Sequence, residues 1–353
     1  MASTRVIGLD IGTSAVRAAE VEFGSGGPAR SQPTLLHFGQ VPLPPGAVRD
    51  GEVVEQTIVS AALRELWAKG RFSGKDVVLG VGNQRVLVRD LQLPWMPAAQ
   101  VREALPFQVQ DMLPMATTDA LLDYFATGEG EGETGRVLQG MLVAAQRDTV
   151  VPNILAVEGA GLRPVMVDLN AFALLRSVVR GDLATRTVAL VDIGARITNV
   201  VVAANGMPQL ARMLPLGGQN VTDAVAAAAG VSAQDAEALK RHVGVGFAPQ
   251  AGYEAVAQAI DGTAQAIIEA IRNTFVYYGA NHPGAGIDVV ALTGGGSHLP
   301  GLGQYISSST RLPVTLGDGL AGFKFGSGLD RSALTGQESL VALPVGLAFG
   351  VAA

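Results

Sequence analysis

The amino-acid sequence predicts an α/β protein with two lobes built from a duplicated unit. The first observation is an apolar strand that ends in Asp-Ile-Gly and occurs twice, at residues 6–14 and again at 188–196. The second is length, because 353 residues exceed one ordinary core and fit two domains. The third is composition: 45 glycines and only 5% aromatic residues favour tight turns and small-residue packing, as in α/β proteins.

Composition also excludes several classes of function. The chain has no cysteine, which excludes disulfides, thiolate catalysis and cysteine-ligated zinc and suits a reducing cytoplasm. A net charge of −6 without a basic block argues against a nucleic-acid partner. No run reaches the roughly 20 apolar residues of a membrane span, and the N-terminal residues lack a signal-peptide pattern. The apolar segment 340–353 has no Lys or Arg, so a buried helix is predicted there rather than a membrane-surface anchor.

The first part of the chain alternates between the patterns of strands and helices. Strands are predicted at residues 4–11, 16–23, 34–43, 77–81 and 85–93, and an amphipathic helix at 52–69. From Pro94 the sequence pattern changes, and the block of residues that follows is a candidate inserted subdomain. It contains predicted helices at 98–112 and 148–159, strands at 121–125, 138–146 and 164–168, and an acidic, glycine-rich loop at 128–135 that is expected to be flexible.

The second half repeats the strand pattern from residue 187 and adds a strand at 207–214. Asn220 is expected to cap a helix that runs through residue 229. Ser232 followed by Asp235 is a capping-box pattern that predicts another helix start. A long amphipathic helix is predicted over 253–281, and a buried strand over 288–292 leads directly into three glycines.

A strand that ends in an acidic residue and a glycine turn places a carboxylate and several backbone N–H groups at one point. That combination suits a magnesium-phosphate group, with amides near phosphate oxygens and a carboxylate holding metal-bound water. In the first turn, the hydroxyls of Thr13 and Ser14 accompany Asp10 and Gly12, and Arg17 is a possible phosphate partner. Taken alone, this motif also fits a hairpin with a solvated aspartate at its tip.

The second copy favours the interpretation as a nucleotide site. Asp192, Gly194 and Ala195 again follow an apolar strand, and Thr198 lies in the returning strand. The flanks and the position in each half match, which suggests two lobes that clamp one nucleotide. The alternative is that two buried strands share a tripeptide by coincidence.

Two further segments are candidate ligand contacts. Glycines after a buried strand let the backbone lie flat against a planar ligand or approach a phosphate, although a plain flexible loop is the alternative. The residues of this segment are Gly294, Gly295, Gly296 and Ser297. Glu237 and Lys240 share one face of a helix, where they form either an exposed ion pair or a contact to ribose and base.

A catalytic base is harder to find in the sequence. The chain has no Ser/His/Asp order, no HExxH motif and no P-loop. Asp168 and Gln146 each lie at a strand end and could orient water, but a structural role is favoured for both. Any hydrolysis of a bound nucleotide is therefore expected to be slow.

The order of these turns resembles that of the actin/DnaK-chaperone/sugar-kinase superfamily, whose members carry two phosphate turns and a later adenosine turn. Within it, the chain is similar to the PilM family of type IV pilus assembly. This narrower resemblance covers nearly the whole chain. It is carried by residues 8–17, 91–94, the helix with Glu103 and Gln108, and residues 160–162, 167–169, 191–195, 216–218, 236–240 and 294–296.

The resemblance implies an actin-like ATPase fold, a ribonuclease H-like duplication with four subdomains. The first lobe would comprise 1–80 plus 166–186, and an inserted α+β subdomain would comprise 81–165. The second lobe would comprise 187–212 plus 282–353, and a helical subdomain on the nucleotide side would comprise 213–281. It also implies ATP with Mg²⁺ in the central cleft, where Asp10 and Asp192 would hold metal-bound water.

The same resemblance assigns the remaining site residues. Those expected to face the phosphates are Gly12, Thr13, Ser14, Gly194, Ala195 and Thr198. Glu237 and Lys240 would meet the ribose and base, and residues 294–297 would flank the adenosine. Arg17, Gly217 and Gly218 complete the expected site. Arg17 stands where the family has Lys, and Ala195 where actins and chaperones often have glycine.

The resemblance also implies a partner, the short N-terminal cytoplasmic peptide of the membrane protein PilN, in a groove near the inserted subdomain. Residues 91–125 could supply apolar pockets and a free strand edge for it. The protein would then be cytoplasmic and would reach the inner face of the membrane only through this partner. Two alternatives remain. The first is an FtsA-like, filament-forming division protein, which needs a basic amphipathic C-terminal helix. The second is a small-molecule kinase of the same superfamily, which needs an acidic base and a polar sugar-binding cluster.

Overall fold

The computed structural model describes residues 3–25, 27, 31–133, 135–247 and 251–352. Within these ranges the strands, in chain order, are β1 Thr4–Ile11, β2 Ala15–Phe23, β3 Thr34–Pro42, β4 Val48–Arg49, β5 Glu52–Val53, β6 Asp76–Val81, β7 Val86–Pro94, β8 Ala120–Gly132, β9 Gly135–Gln146, β10 Arg163–Leu169, β11 Thr187–Ile193, β12 Thr198–Ala204, β13 Met207–Leu214, β14 Val289–Thr293, β15 Val314–Leu316 and β16 Lys324–Phe325. The helices are α1 Gln56–Gly70, α2 Ala98–Val109, α3 Arg147–Gly159, α4 Asn170–Val178, α5 Gly218–Ala229, α6 Ala233–Val243, α7 Glu254–Asn281, α8 Leu302–Thr310 and α9 Glu338–Ala352.

The two main sheets share one central arrangement. The first has the strand order β10-β6-β1-β2-β3-β16, and the second has the order β13-β12-β11-β14-β15. In each sheet the Asp-Ile-Gly strand forms an antiparallel hairpin with the strand that follows it. The same strand runs parallel to one from later in the chain, β6 beside β1 and β14 beside β11. The sequence repeat is therefore a structural repeat, and the predicted duplicated α/β fold is confirmed.

Helices α4 and α9 lie on the inner faces of the two sheets. Along β1, Ile7 and Leu9 pack in a core with α1 and α3, whereas Val6 packs on the opposite face in a core with α9. A Cβ on Gly8 would lie 1.9 Å from the carbonyl oxygen of Pro344, so only glycine lets α9 approach β1 this closely. Because alternate strand residues share a face, Asp10 continues the row of Val6 and Gly8 and faces the inner layer.

The second sheet shows the same alternation. Val188 and Leu190 pack in a core with α4, whereas Val191 packs on the outer face with α5 and α7. Asp192 continues the row of Val188 and Leu190. The two aspartates of the repeated motif therefore face the same layer from opposite sheets.

The first predicted helix begins later in the structure than in the prediction. Residues 52 and 53 form β5, which pairs with β4, so the helix begins at Gln56 rather than at residue 52. The buried side chains on α1 include Val59, Leu63 and Leu66, whereas Ile58 is 39% exposed. The prediction was wrong here because it extended the helical period back into a short strand.

The acidic segment 128–135 was predicted to be a flexible loop, and the structure contradicts this. Strand β8 continues through Gly132 and β9 begins at Gly135, while Thr134 lies outside the described residues. Glu129 accepts a hydrogen bond from Trp95 Nε1 at 3.1 Å and forms an ion pair with Arg136. Composition alone could not reveal these partners, Arg136 on the neighbouring strand β9 and Trp95 just after β7, which stabilise a local sequence that otherwise favours disorder.

Most predictions for the second half agree with the structure, but Asn220 does not precede its helix, because α5 already begins at Gly218 with Gly217 as its cap. The long helix is α7, and its buried side chains include Ile260, Ile267 and Ile271. Helix α6 begins after Ser232, whose Oγ accepts a hydrogen bond from the backbone N–H of Asp235 at 3.2 Å. The capping-box pattern and the hydrophobic period were therefore sufficient to predict α6 and α7.

The last part of the chain contributes to both lobes. Strand β14 pairs with β11 in the second sheet, but β16 pairs with β3 in the first, and α9 packs on β1. The segment 282–353, expected in the second lobe, thus also completes the first. The apolar segment from residue 340 is a helix, as predicted, and most of its side chains over 341–349 are buried; the helix continues to the described end at Ala352. Among the described helices, none combines the length and apolar character needed to cross a membrane.

Candidate functional site

The first repeated hairpin is closed by its glycine. Gly12 N donates to the carbonyl oxygen of Ala15 at 3.0 Å, and a Cβ on Gly12 would lie only 3.1 Å from that oxygen. Asp10 stands opposite Arg17 in the β1–β2 ladder, and Arg17 Nη1 donates to Asp10 Oδ2 at 3.3 Å. Ser14 is exposed at the tip of the turn. The sequence therefore folds here into a tight turn with a buried carboxylate at its base.

The second hairpin repeats this geometry. Gly194 N donates to the carbonyl oxygen of Ile197 at 2.9 Å, and a Cβ on Gly194 would approach that oxygen to 2.7 Å. Asp192 stands opposite Asn199, whose Nδ2 donates to Asp192 Oδ2 at 3.2 Å. The other oxygen, Oδ1, accepts a hydrogen bond from Thr293 Oγ1 at 3.1 Å. The aspartate is thus held by its own hairpin and by the neighbouring strand β14.

The two aspartates influence each other electrostatically. Burial raises the pKa of Asp10 to about 6; the guanidinium of Arg17 lowers this pKa, whereas the charge of Asp192 raises it. Burial also raises the pKa of Asp192, against the hydrogen bonds from Asn199 and Thr293 and the charge of Arg17. The same guanidinium lowers the pKa of both carboxyl groups, and both aspartates face the layer between the sheets, which supports treating the three side chains as one candidate site.

Two polar atoms in this site are buried without a hydrogen-bond partner among the described residues. They are Arg17 Nε, a donor, and Asn199 Oδ1, an acceptor. Such orphaned atoms are costly unless a ligand or water satisfies them. A phosphate oxygen suits the guanidinium, and metal-bound water suits the amide oxygen, so the residues present fit a magnesium-phosphate group.

The start of α5 is attached directly to the second hairpin. Gly218 N donates to the carbonyl oxygen of Gly194 at 2.9 Å, and Gln219 N donates to that of Ala195 at 2.7 Å. A Cβ on Gly217 would lie 2.5 Å from the Gly194 oxygen. The close approach requires glycine at 217, and it orients the N-terminus of α5 toward the turn.

The structure assigns contacts to two residues expected near the phosphates and the helix start. Thr198 is fully buried, and its Oγ1 donates to the carbonyl oxygen of Leu216 at 2.7 Å. Asn220 lies inside α5, and its Oδ1 accepts a hydrogen bond from Gly217 N at 3.0 Å. Both side chains therefore stabilise the junction between the second hairpin and α5.

The triple glycine forms a packed turn rather than a flexible loop. Gly294 has a φ of +79°, and a Cβ there would lie 2.5 Å from the carbonyl oxygen of Ile193. A Cβ on Gly296 would lie 2.4 Å from Ile193 Cγ2. Ser297 is buried, and its Oγ donates to the carbonyl oxygen of Gly294 at 2.7 Å. This turn therefore lies directly on the second Asp-Ile-Gly segment.

Glu237 and Lys240 form an anchored ion pair. Lys240 Nζ lies 2.6 Å from Glu237 Oε2 and donates to the carbonyl oxygen of Gly218 at 3.1 Å and to Thr222 Oγ1 at 2.9 Å. Burial acts to raise the pKa of Glu237, but hydrogen bonds from Lys240, Thr222 and Arg241 outweigh it and hold this pKa below its usual value. The pair connects α6 to the start of α5, so it is not the simple exposed pair that spacing allowed.

The two residues considered for orienting water are held in other contacts. Asp168 forms an ion pair with Arg176 and accepts a hydrogen bond from its neighbour Leu169 N at 2.8 Å. Gln146 Oε1 accepts a hydrogen bond from Arg85 Nη1 at 3.0 Å. Sequence reasoning overlooked Asn199 and Thr293, although the ladder position opposite Asp192 could have pointed to Asn199.

This geometry, with two lobes from a duplicated unit and the acidic turns facing each other, defines the actin-like class of two-lobed proteins. The profile of the family described as "Type IV pilus assembly protein PilM" matches residues 8–351. The chain therefore belongs to the PilM family.

Solved structures and curated relatives agree with this class. The structure of the "PilM-PilN type IV pilus biogenesis complex" superimposes with a TM-score of 0.83 at 26% identity, covering 98% of both chains. MreB5 of Spiroplasma citri bound to AMPPNP shares the fold, with a TM-score of 0.52 at 13% identity over 97% of this chain and 94% of that one.

Cell division protein FtsA of Bacillus subtilis is 29% identical over 34% of this chain and 27% of its own length. FtsA of Streptococcus pneumoniae is 24% identical over 74% of this chain and 60% of its own. The chain thus spans between about a quarter and three fifths of these curated relatives.

Proposed function

We propose that this protein is a cytoplasmic, ATP-binding scaffold of type IV pilus assembly, with ATP and Mg²⁺ held between the two repeated hairpins. The observation that supports it most directly is that Asp10, which accepts a hydrogen bond from Arg17, and Asp192 are both buried at the bases of the repeated hairpins and face the same layer between the sheets. The orphaned Arg17 Nε and Asn199 Oδ1 add a donor and an acceptor there. Two carboxylates and one guanidinium leave a net negative charge that suits a divalent cation.

In this proposal Asp10 and Asp192 hold water of the magnesium shell, and Arg17 contacts a phosphate. Magnesium, when bound, neutralises the triphosphate charge. Backbone groups of the two turns approach the phosphates, together with the hydroxyls of Thr13 and Ser14. These turn residues are Gly12, Gly194 and Ala195. Thr198 would support the turn rather than contact a phosphate directly, because its hydroxyl is already hydrogen-bonded to the carbonyl oxygen of Leu216.

The nucleoside would lie on the second lobe, over the packed glycine turn. A Cβ on Gly218 would lie 3.6 Å from Gly296 Cα and 3.7 Å from Lys240 Nζ, so these segments form one surface. Glu237 and Lys240 border this surface and would meet the ribose and base. At Gly295 the missing side chain leaves room for a planar ring, because a Cβ there would meet only Leu340 Cδ2, at 3.7 Å.

The proposed partner is the N-terminal cytoplasmic peptide of a PilN-like membrane protein, which would bring this protein to the membrane. Support comes from the similarity to the chain in the PilM-PilN complex and from the inserted subdomain. Its sheet has the order β7-β9-β8, and α2 beside it exposes the large apolar side chain of Phe107. An exposed strand edge and apolar side chains are what an extended peptide requires.

Nucleotide binding would regulate this scaffold rather than drive rapid turnover. Asp168 and Gln146 are occupied by structural partners, so no poised base is apparent among the residues considered for catalysis. ATP would instead favour the conformation in which both hairpins contact it, and thereby bias how partners are held.

The direct experiment measures binding of a fluorescent ATP analogue with Mg²⁺, followed by a pull-down with N-terminal peptides of candidate inner-membrane proteins, with and without ATP. We expect Mg²⁺-dependent binding of the analogue and ATP-dependent peptide capture. Absence of nucleotide binding, with Asp10→Asn behaving as wild type, would refute the site. Nucleotide binding with ATP-insensitive peptide capture would refute the regulatory role alone.

The FtsA matches make membrane-bound filaments the competing function. Co-sedimentation of the purified protein with anionic liposomes and ATP distinguishes the two proposals. The apolar face of α9 is buried against both lobes, and its last turn has no basic residue, so we expect no co-sedimentation without a membrane partner. ATP consumption that depends on an added sugar would instead favour the small-molecule kinase.

A further inference from the structure

The outer edge of the first sheet is covered over only part of its length. Strand β16 pairs with β3 at Thr34 and Leu35. In the part of the chain that the structure describes, no other strand pairs with this edge over residues 36–42. Edge strands present unpaired N–H and C=O groups, which form a template for another extended chain.

A cavity of about 600 Å³ lies beside this edge, at β16. It is lined by apolar and basic side chains, principally Phe323, Lys324, Phe325, Leu329 and Arg331. Phe325 and Leu329 are half-buried at the margin of the core under α9, and Phe38 of β3 packs at the same margin. The free strand edge and the cavity therefore share a common apolar border.

The charge at this border is positive, although the whole chain has a net charge of −6. Lys324 and Arg331 are exposed, and neither forms an ion pair with another described residue. The guanidinium of Arg331 lies 4.3 Å from the centroid of the Phe325 ring. Asp330 is the nearest acidic residue in sequence, and it accepts hydrogen bonds from the N–H and Oγ of Ser332.

A third cation lies behind this surface. Arg180 is 5.6 Å from the centroid of Phe323, which lines the cavity, and its Nη1 is buried without a hydrogen-bond partner among the described residues. Burial lowers the pKa of Arg180, and the rings of Phe323 and Phe349 lie 5.6 and 5.0 Å from its guanidinium. Two positive groups, Lys324 and Arg331, thus line the apolar cavity next to an incomplete sheet edge, and Arg180 lies behind it in contact with Phe323.

We propose that this edge, residues 36–42 with β16 and its cavity, binds an extended acidic segment of a partner protein as an added strand. Main-chain hydrogen bonds to β3 would supply affinity, as in other strand-addition complexes. Because alternate residues of a strand point to opposite sides, apolar side chains of the partner would meet Phe38 and Phe325. Carboxylates at the intervening positions would meet Lys324, which follows the opposite face from Phe325, whereas an acidic residue at the end of the segment beside β16 would meet Arg331, which stacks on the Phe325 ring.

This surface is separate from the nucleotide cleft and from the inserted subdomain, so it adds a second docking site to the scaffold. The nucleotide turns follow the ends of β1 and β11, whereas this surface is formed by β3, β16 and the residues after β16. Peptide binding at this surface can therefore be measured without ATP and without the PilN-like peptide.

The experiment uses the full chain and an eight-residue peptide in which Glu alternates with Val, carrying a fluorophore for anisotropy. We expect saturable binding that weakens at least tenfold in the Lys324→Glu/Arg331→Glu variant. The matched control is Lys75→Glu/Arg272→Glu, which makes the same charge change at exposed positions elsewhere and should bind as wild type does. A peptide with Lys in place of Glu should not bind.

A second measurement tests the geometry of the complex. Hydrogen exchange of the wild-type protein should slow in residues 36–42 when the peptide is bound, and a peptide N-methylated at alternate residues should lose affinity at least tenfold. Binding without protection of these amides, or equal binding by the charge-reversed variant, would overturn the proposal. It would also be overturned if the protein alone formed dimers that the charge reversal abolished, because the occupant would then be a second copy.

Discussion

Arg17 and Asn199 occupy the same position in the two repeated hairpins, and each donates a hydrogen bond to the aspartate across its own ladder. The duplicated site is therefore symmetric in geometry and asymmetric in charge. A guanidinium stands beside Asp10, whereas a neutral amide stands beside Asp192. Each partner also retains one buried polar atom without a hydrogen bond, Nε of Arg17 and Oδ1 of Asn199.

Replacing Arg17 tests the phosphate contact. Arg17→Ala removes the only described guanidinium that is hydrogen-bonded to either aspartate, so we expect about tenfold or greater loss of ATP affinity, as for one hydrogen bond to a charged group. Titration with a fluorescent ATP analogue measures this loss. Arg5→Ala is the control, because Arg5 pairs with Glu22 and its side chain is 52% exposed. Equal affinity in both variants would contradict a phosphate role for Arg17.

Replacing Asp10 tests the cost of its buried charge. The folded-state pKa of about 6 lies above the ordinary value of 3.8, so the folded protein holds this proton more tightly than the unfolded chain does. Stability without nucleotide therefore falls as the pH rises from about 4 to 6. At pH 7.5 the cost is about 3 kcal/mol, from the size of the shift.

We expect Asp10→Asn to raise the free energy of unfolding at pH 7.5 by up to that amount, and by less at pH 5, while abolishing Mg²⁺-dependent ATP binding. Chemical denaturation at both pH values measures the difference. Asp76→Asn serves as the comparison, because Asp76 is exposed and its pKa is lowered by a hydrogen bond from Arg163. A stabilisation independent of pH would argue against a raised pKa at Asp10.

A pair of glycine substitutions separates packing at the site from general backbone effects. Gly217→Ala places a Cβ 2.5 Å from the carbonyl oxygen of Gly194, so the junction of α5 with the second hairpin must shift. We expect a loss of stability of about 1–3 kcal/mol, as for overpacking, together with weaker ATP binding. Calorimetry and ATP titration give the two quantities.

Gly262→Ala is the matched control for that variant. Gly262 lies inside α7, and a Cβ there meets no atom within 4 Å. We expect it to stabilise the protein by about 0.5–1 kcal/mol, because alanine favours a helix interior. If Gly217→Ala were equally harmless, the close approach at the junction would not constrain the site.

Replacing Lys240 tests the connection between α6 and α5. Lys240→Met keeps most of the apolar length but removes the donor to Gly218 and Thr222, so we expect destabilisation of about 2 kcal/mol and reduced ATP affinity. Thermal unfolding with and without Mg-ATP measures both effects. In the reference variant Lys69→Met, the exposed pair with Glu65 is lost, and a change below about 0.5 kcal/mol is expected. An equally small loss of stability in Lys240→Met would show that the Lys240–Glu237 pair behaves as an ordinary exposed ion pair.

The sequence by itself determined the duplicated core. An apolar strand that ends in a short acid-glycine turn has few ways to fold, and its repetition predicted two equivalent hairpins, which the structure confirms. The periodic pattern of α7 and the cap at Ser232 were likewise local signals, because each depends on residues within one or two helical turns. Such features can be predicted wherever neighbours in sequence are also the physical partners.

Tertiary structure decided the rest, because the partners there are distant in the chain. Glu129 lies in an ordered strand through its contacts with Trp95 and Arg136, and α9 packs on β1 only because Gly8 has no side chain. Lys240 became a buried link through Gly218 rather than an exposed charge. Neither composition nor spacing encodes which distant backbone a side chain will reach, and that choice depends on how the two sheets and their helices pack together.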